Sequence, residues 1–439
     1  MRTASCAGLL LALTVAPLAA QQDTTAMPQD STQLAVKAIT LDQALLMAVR
    51  TQPAVVQAEG NLDVAHASQR AAIGNYLPSL SASSGWSRNS SGARFDPTTQ
   101  TTINAASTSW NGGLRLNLTL FDGFAREARN RLASAGISSA DAALTNQRFQ
   151  IELQTKQAFF NALAADELVR ASQEQLKTAQ DQLKISRDKL LAGSATRADT
   201  LTSTVQVANA QLTLLNAQTQ RETAQAQLAR LVGSNELVRP VADSSLYALP
   251  QIDTLELRRE AIDNSPSVQT AEANVKTAQA QVAVSRAQYF PSINAGYSNS
   301  LGGTALDQLR HSWSMSVSLS WNLFNGFTRE SNMASSDAQR NYAQSALADA
   351  RRQASTNLTT QLAALASAEQ RISIATVSGA AANENLRVQQ ERYRVGAATI
   401  VDVQTAEASV ASAASDLVRA RLDFLVARAQ IEALIGRTL

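Results

Sequence analysis

The chain is duplicated, and this limits its fold more than any other feature. Pro53 and Pro266 lie 213 residues apart, as do Pro78 and Pro291, and between them Ala58, Glu59, Asn61 and Tyr76 recur as Ala271, Glu272, Asn274 and Tyr289. Further along the spacing becomes 203: Leu120–Phe124 (LFDGF) returns as Leu323–Phe327 (LFNGF), Gly193 as Gly396, Asp199 as Asp402, and Leu231-Val232-Gly233 as Leu434-Ile435-Gly436. The first copy therefore has a longer loop between Pro78 and Leu120. A unit of roughly 200 residues is too long for a solenoid repeat and predicts two large, similar halves. We place the first at 39–233 and the second at 253–439, joined by a linker, 234–252, that holds Pro240 and Pro250.

Within each half the periodicity changes type. Leu114, Leu116, Leu118 and Leu120 alternate with Arg115, Asn117 and Thr119, while Trp313, Met315, Val317, Leu319 and Trp321 alternate with serines 314, 316, 318 and 320. Strict period two predicts strands with one apolar and one polar face. Their partners follow the repeat prolines, giving one long hairpin per half, at about 79–120 and 292–323. All four tryptophans, Trp86, Trp110, Trp313 and Trp321, fall in these segments, as an aromatic girdle at a bilayer interface requires. A buried sandwich core would demand bulkier residues than serine on the second face.

The remainder reads as helix. No proline interrupts the stretch between Pro97 and Pro240, or anything after Pro291, and Ala, Leu, Gln, Glu, Arg and Lys dominate. Leu168, Ser172, Leu176, Ala179, Leu183, Ser186 and Leu190 follow alternating steps of four and three, a narrow coiled-coil stripe whose small residues permit close approach. A helix from about Phe124 to Leu191 would be roughly 100 Å long, matched by two shorter helices, 53–77 and 196–232, stacked end to end.

Composition removes several classes of function. Lys plus Arg at 38 against Asp plus Glu at 36 leaves no basic field for nucleic acid. One cysteine, Cys6, and two histidines, His66 and His311, offer no metal cluster, and we expect no cofactor. Nor is there a nucleophile with its base or a phosphate-binding glycine loop, so no catalytic role is expected. The apolar run Leu9–Ala20 after Arg2 reads as a signal peptide, residues 1–20, followed by an N-terminal extension, 21–38. No other run is long and apolar enough for a membrane-spanning helix, which leaves a closed β-barrel as the means of crossing a bilayer.

Four strands cannot close such a barrel, because the smallest have eight. Two copies would give eight strands and a filled interior; three give twelve and a lumen, so a homotrimer is the smallest open solution. The expected fold is mainly α with a membrane β-barrel: a trimeric twelve-stranded barrel continued by a long barrel of coiled-coil helices.

The duplicated order of helix, Leu77-Pro78 or Phe290-Pro291, hairpin, LF[DN]GF, long helix, glycine turn and returning helix resembles the TolC-type outer membrane efflux proteins over essentially the whole mature chain. The resemblance implies a passive export duct, its β-barrel in outer-membrane lipid and its helical barrel in the periplasm, gated at the periplasmic tip. Its partners would be a periplasmic adaptor and an inner-membrane efflux pump or ABC exporter, as in tripartite efflux or type I secretion of drugs, other small toxic molecules or proteins. An outer-membrane-anchored trimeric coiled-coil adhesin or scaffold is the alternative.

The turns Ala192-Gly193-Ser194 and Val395-Gly396-Ala397 resemble the family's adaptor-docking tips, although the usual pattern is Val-Gly-Leu. Asp199 and Asp402, six residues beyond each glycine, would form rings of three carboxylates in a trimer, attracting cations and raising their own pKa values; each could equally just cap its helix. The family's closed tip is latched by a tyrosine bonded to an aspartate, and Tyr393 and Asp199 hold those positions. The family's latch arginine is replaced by Ala398 and its second ring aspartate by Thr405, leaving Arg197 or Arg394 as candidate substitutes.

Overall fold

The computed structural model describes residues 36–90, 94–96, 98, 100–103, 106–242 and 254–439. The signal peptide, most of the extension and residues 243–253 of the linker region lie outside them. The first half runs β1 (Val36–Ile39), α1 (Leu41–Thr51), α2 (Pro53–Gly74), β2 (Ser79–Ser90), β3 (Arg94–Asp96), β4 (Thr101–Ile103), β5 (Ala106–Phe121), α3 (Ala125–Leu191), α4 (Arg197–Val232) and β6 (Leu237–Pro240). The second runs α5 (Thr254–Asp263), α6 (Pro266–Ala287), β7 (Ser292–Gly303), β8 (Arg310–Ser320), α7 (Thr328–Arg394) and α8 (Ile400–Ile435).

The hairpins join in one antiparallel sheet of order β2-β5-β7-β8. Ser79 pairs with Asn117 and Ser292 with Ser320, so the two hairpins share one register under the two sequence spacings. The extra length of the first copy sits between β2 and β5, where β3 and β4 form a small hairpin of their own. The sheet's apolar face, including Leu80, Leu114, Trp313, Met315 at 72% exposure, Val317 and Leu319, is bare. The opposite face is a serine ladder, with Ser87–Ser109, Ser298–Ser314 and Ser300–Ser312 hydroxyls each 2.8 Å apart. A sandwich would bury that apolar face; here no described residue covers it.

Each hairpin passes to its long helix through the LF[DN]GF motif. Gly123 and Phe124 both have positive φ (66° and 67°), as do Gly326 and Phe327 (65° and 62°). A Cβ at Gly123 would also lie 2.5 Å from that of Phe290, so glycine is required there twice over. Asp122 Oδ2 accepts the Arg126 N–H at 2.8 Å, and the Arg126 guanidinium returns to the Leu120 carbonyl at 3.0 Å while stacking over Tyr76. Asn325, Arg329, the Asn322 carbonyl and Tyr289 repeat this joint in the second copy. The shared Tyr, Pro, [DN]GF and Arg are thus the parts of one corner.

The long helices α3 and α7 have 67 residues each, about 100 Å at 1.5 Å per residue. Their neighbours are the stacks α2 with α4 and α6 with α8. The stacking is direct: Gln52 Nε2 donates to the Leu231 carbonyl at 2.5 Å, and Gly233, at φ 68°, abuts Thr51. Gly436 likewise packs on Pro266. The columns lie in the order α2/α4, α3, α6/α8, α7. The small-residue stripe is buried every seventh position, at Ser172, Ala179 and Ser186.

One region departs from the expected plan. β1 pairs in parallel with β6, Val36 opposite Leu237 through Ile39 opposite Pro240, so residues assigned to the extension and to the linker form a sheet of their own. Ile39 and Val238 are buried there in a core with Phe159, Leu228, Leu358 and Phe424. Arg239 Nε ties β6 to the buried carboxylate of Asp166 on α3 at 3.1 Å. Large side chains therefore gather at mid-height, where this small sheet adds a layer to the helical wall.

Candidate functional site

The distal end of the helices holds the sequence-predicted tip residues. Both turns are Schellman caps: Ser194 N–H reaches the Lys189 carbonyl at 2.9 Å and Gly193 N–H that of Leu190 at 3.0 Å, while Ala397 N–H reaches Arg392 at 2.7 Å and Gly396 N–H reaches Tyr393 at 3.1 Å. Gly193 and Gly396 have φ of 74° and 82°. Beside them Leu191 and Val395 are 87% and 77% exposed, and Ala192, Ser194 and Ala397 are exposed too. The end of the structure is an apolar knob on each turn.

The two aspartates are capping residues. Thr196 caps α4 and Thr399 caps α8, each in a complete capping box with the aspartate three residues on. Asp402 Oδ2 accepts both the Thr399 backbone N–H and its hydroxyl at 2.8 Å. These two bonds hold the Asp402 carboxyl below the usual carboxylate range, opposite to the rise expected from a carboxylate ring. Asp199 accepts the Thr196 hydroxyl at 2.9 Å.

Within the chain Tyr393 is tied to serines of the first repeat. Its side chain is 3% exposed, and its hydroxyl lies 3.4 Å from Ser186 Oγ, which in turn meets Ser203 Oγ at 3.0 Å; Asp199 is not its partner within this chain. Lys189 places its ammonium over the Tyr393 ring and donates to the Tyr393 carbonyl. The tie therefore runs from α7 through Ser186 of α3 to Ser203 of α4. Ile400, Val403 and Ala406 pack around Tyr393, with Ala398 beside them where the family carries its arginine. Arg394 pairs with Glu391 at 3.2 Å, and Arg197 lies exposed in the first turn of α4, so neither reaches Tyr393. Sequence reasoning missed Ser186 as a partner, though its place on the seven-residue stripe marked it as facing inward.

At the other end, Trp86 and Trp110 face each other across β2 and β5 with ring centroids 6.2 Å apart. Trp313 projects from the same bare face, level with Leu114 through Asn299. Trp321 lies at the foot of the sheet, its indole N–H on the Tyr289 carbonyl at 3.2 Å, beside the edge-on pairs Phe121–Phe124 and Phe324–Phe327. From Trp110 to Phe121 is eleven residues, about 36 Å along a strand; at the usual 35–45° tilt this spans roughly 28 Å, the height of a barrel's apolar band and its girdles. No helix among the described residues is long and apolar enough to cross a membrane, and no group of three or more metal-ligating side chains is present among them.

Residues 44–234 and 257–437 each match the sequence profile described as outer membrane efflux protein, one match per repeat. The cobalt-zinc-cadmium resistance protein CzcC of Cupriavidus metallidurans is 26% identical over 179 residues, 41% of this chain and 43% of that one. Outer membrane efflux protein BepC of Brucella suis is 29% identical over 40% of this chain and 39% of its own length. The aligned region thus spans about two fifths of these relatives. Among solved structures, VceC of Vibrio cholerae superposes with a TM-score of 0.76 at 17% identity, over 91% of this chain and 96% of that one. The open-state MtrE outer membrane channel of Neisseria gonorrhoeae gives 0.75 at 22%, over 90% and 89%. The adhesin or scaffold alternative finds no support in these matches.

Proposed function

The chain belongs to the outer membrane efflux protein family, and from that premise we propose that it is the outer-membrane duct of an export system, a passive channel rather than an enzyme. One observation carries the reading: a four-stranded sheet with a bare apolar face and two unpaired edges stands on helices about 100 Å long. Such a sheet is stable in lipid only when its edges are closed by other copies.

The duplication says how. The β5–β7 contact inside one chain has a counterpart one repeat on, between β8 and β2 of the next copy; three copies then close a twelve-stranded barrel. The helical columns repeat the same step, with α7 of one copy against α4 of the next, to form a continuous periplasmic duct. The exposed Leu191 and Val395 knobs suit an apolar docking surface for a periplasmic adaptor, which would couple the duct to an inner-membrane pump or exporter. We read the Tyr393–Ser186–Ser203 tie and the Asp199 and Asp402 caps as what holds the tip in one conformation.

Gly113 faces Ser300, so the repeat places Ser316 opposite Ser87 of the neighbouring copy. Ser316→Cys with Ser87→Cys should give disulfide-linked dimers and trimers in outer-membrane fractions, with neither single variant doing so beyond background; Cys6 is the sole native cysteine. A monomeric soluble protein would overturn the reading. Tyr393→Phe should raise single-channel conductance in planar bilayers, and Asp199→Ala less so, because the tie runs through Ser186.

A further inference from the structure

A cavity of about 400 Å³ opens in the helical wall above the tip, between α3 and α8, with Thr213 of α4 and Asn383 of α7 at its sides. Its walls are mixed, with an apolar patch of Leu168, Leu386, Val410 and Ala414 beside hydroxyls and amides such as Ser172, Gln175 and Thr178. Into it projects Glu407, 5% exposed, whose Oε1 is buried with no hydrogen-bond partner. Gln182, one helical turn beyond the lining residue Thr178 on α3, is also buried with neither amide atom paired. The capping boxes, the Tyr393 tie and the barrel make no use of these groups.

An unpartnered buried carboxylate is costly unless something neutralises it. Among the described residues the only other charged group lining the cavity is Glu174 of α3, and no Lys, Arg or His lines it; the rest of the polar lining, such as Thr213 of α4 and Asn383 of α7, is neutral. Glu174 stands at the mouth, exposed and 4.0 Å from Lys177, and adds negative charge there. Burial alone pushes the Glu407 carboxyl up to about 7, so at neutral pH the cavity alternates between a neutral acid and an uncompensated anion. A bare divalent metal ion is held by several charged or carbonyl ligands at once, and no group of three or more His, Cys, Asp or Glu side chains gathers here or elsewhere among the described residues. A cation with its own apolar body meets both the walls and the charge, and the volume falls in the range of small-molecule pockets.

We propose that the cavity at Glu407 is a binding site for an amphipathic organic monocation. Its ammonium or iminium charge sits against the Glu407 carboxylate and its apolar part against Leu168, Leu386 and Val410. Binding takes the ionised acid, so it releases a proton below pH 7 and weakens as pH falls.

Ethidium, whose charge is constant over this range, is a suitable probe. Its fluorescence is titrated with the purified full-length protein in non-ionic detergent, against protein-free micelles. Saturable binding at pH 8 should weaken about tenfold at pH 6, where roughly nine tenths of Glu407 is protonated. Glu407→Gln should bind at least tenfold more weakly at pH 8, with no pH dependence. Ala411→Phe, which fills the cavity and leaves the acid in place, should abolish binding while the helical circular dichroism is retained. No saturable binding by the wild type at pH 8, equal affinity at the two pH values, or equal affinity in Glu407→Gln overturns the proposal. Because the assay reads binding and not passage, its failure leaves the export reading untouched.

Discussion

The long helices α3 and α7 descend from one repeat, have the same length and end in the same turn, yet α3 buries seventeen residues and α7 nine. The returning helices show the reverse assignment: α8 buries fourteen and α4 eight. The difference follows position rather than sequence type. In the order α2/α4, α3, α6/α8, α7, the inner columns have neighbours on both sides and the outer columns on one. The outer columns still carry apolar side chains at heptad-like spacings, Leu201, Val205, Leu212 and Leu215 on α4 and Ile374, Val377 and Val388 on α7, all exposed. In the proposed assembly an inner seam is a view of what an outer seam becomes, and the sheet edges β2 and β8 lie at the same two flanks.

The strongest way to break that equivalence is to charge an outer stripe. Leu212→Asp with Leu215→Asp should remove nearly all trimer from native gels and the outer membrane, while leaving the helical content of the chain. If these leucines simply faced solvent, such surface changes would alter stability by no more than about 0.5 kcal/mol and assembly would be unchanged.

The seams are not identical, and the next test uses their difference. In the inner seam Lys156 Nζ meets Glu432 Oε2 at 2.5 Å with both side chains buried, and Glu432 also accepts from Arg428 and from the Leu439 N–H. One repeat away stand Thr359 and Ala229, which carry no charge. Removing Glu432 strands the buried Lys156 ammonium, so Glu432→Ala should cost about 3 kcal/mol in urea unfolding of the helical signal, and Lys156→Thr less, because Arg428 still meets Glu432 at 3.1 Å. Lys156→Thr with Glu432→Ala restores the composition of the other seam and should cost less than the two singles added, with a coupling of about 1–3 kcal/mol.

How much of this was readable beforehand depends on whether a contact repeats. The hairpins and their common register could be read because a period-two pattern and an exact spacing specify them residue by residue. The long helices, the glycine turns and the end-to-end stacking could be read because Pro, Gly and the heptad stripe fix helix ends and faces. The β1–β6 sheet could not: four-residue strands some 200 positions apart, with no alternation, leave no local signal. The same holds for Lys156 with Glu432 and for the cavity at Glu407, whose equivalent one repeat earlier is Thr204. At the tip, the aspartates were found by spacing, but the choice between ring and cap depended on Thr196 and Thr399 three residues before them. Tyr393 was found and its partner was not, because Ser186 belongs to the other repeat and its counterpart, Gln389, differs.

The smallest expected effect concerns the two ends of the proposed duct, where the repeats also differ. The four membrane strands contain no acidic residue, and their polar face carries Arg115 and Arg310, whose counterparts one repeat away are Ser318 and Ser107. The tip offers Asp402, exposed in the first turn of α8. A basic collar and an acidic tip oppose each other in ion selectivity. Arg115→Ser, which makes the first repeat resemble the second, should move the reversal potential in a salt gradient toward cations by several millivolts, and Asp402→Asn should move it the other way. The Asp402 pKa is depressed by its Thr399 bonds, so the carboxylate's support of the cap is complete above its unfolded value near 3.8 and is lost only as pH falls through the lower folded value. Selectivity due to Asp402 should accordingly stay level from pH 8 to pH 5. A loss within that window would mean that copies bring the carboxylates close enough to raise one another's pKa, and repulsion in the ring would then outweigh the cap.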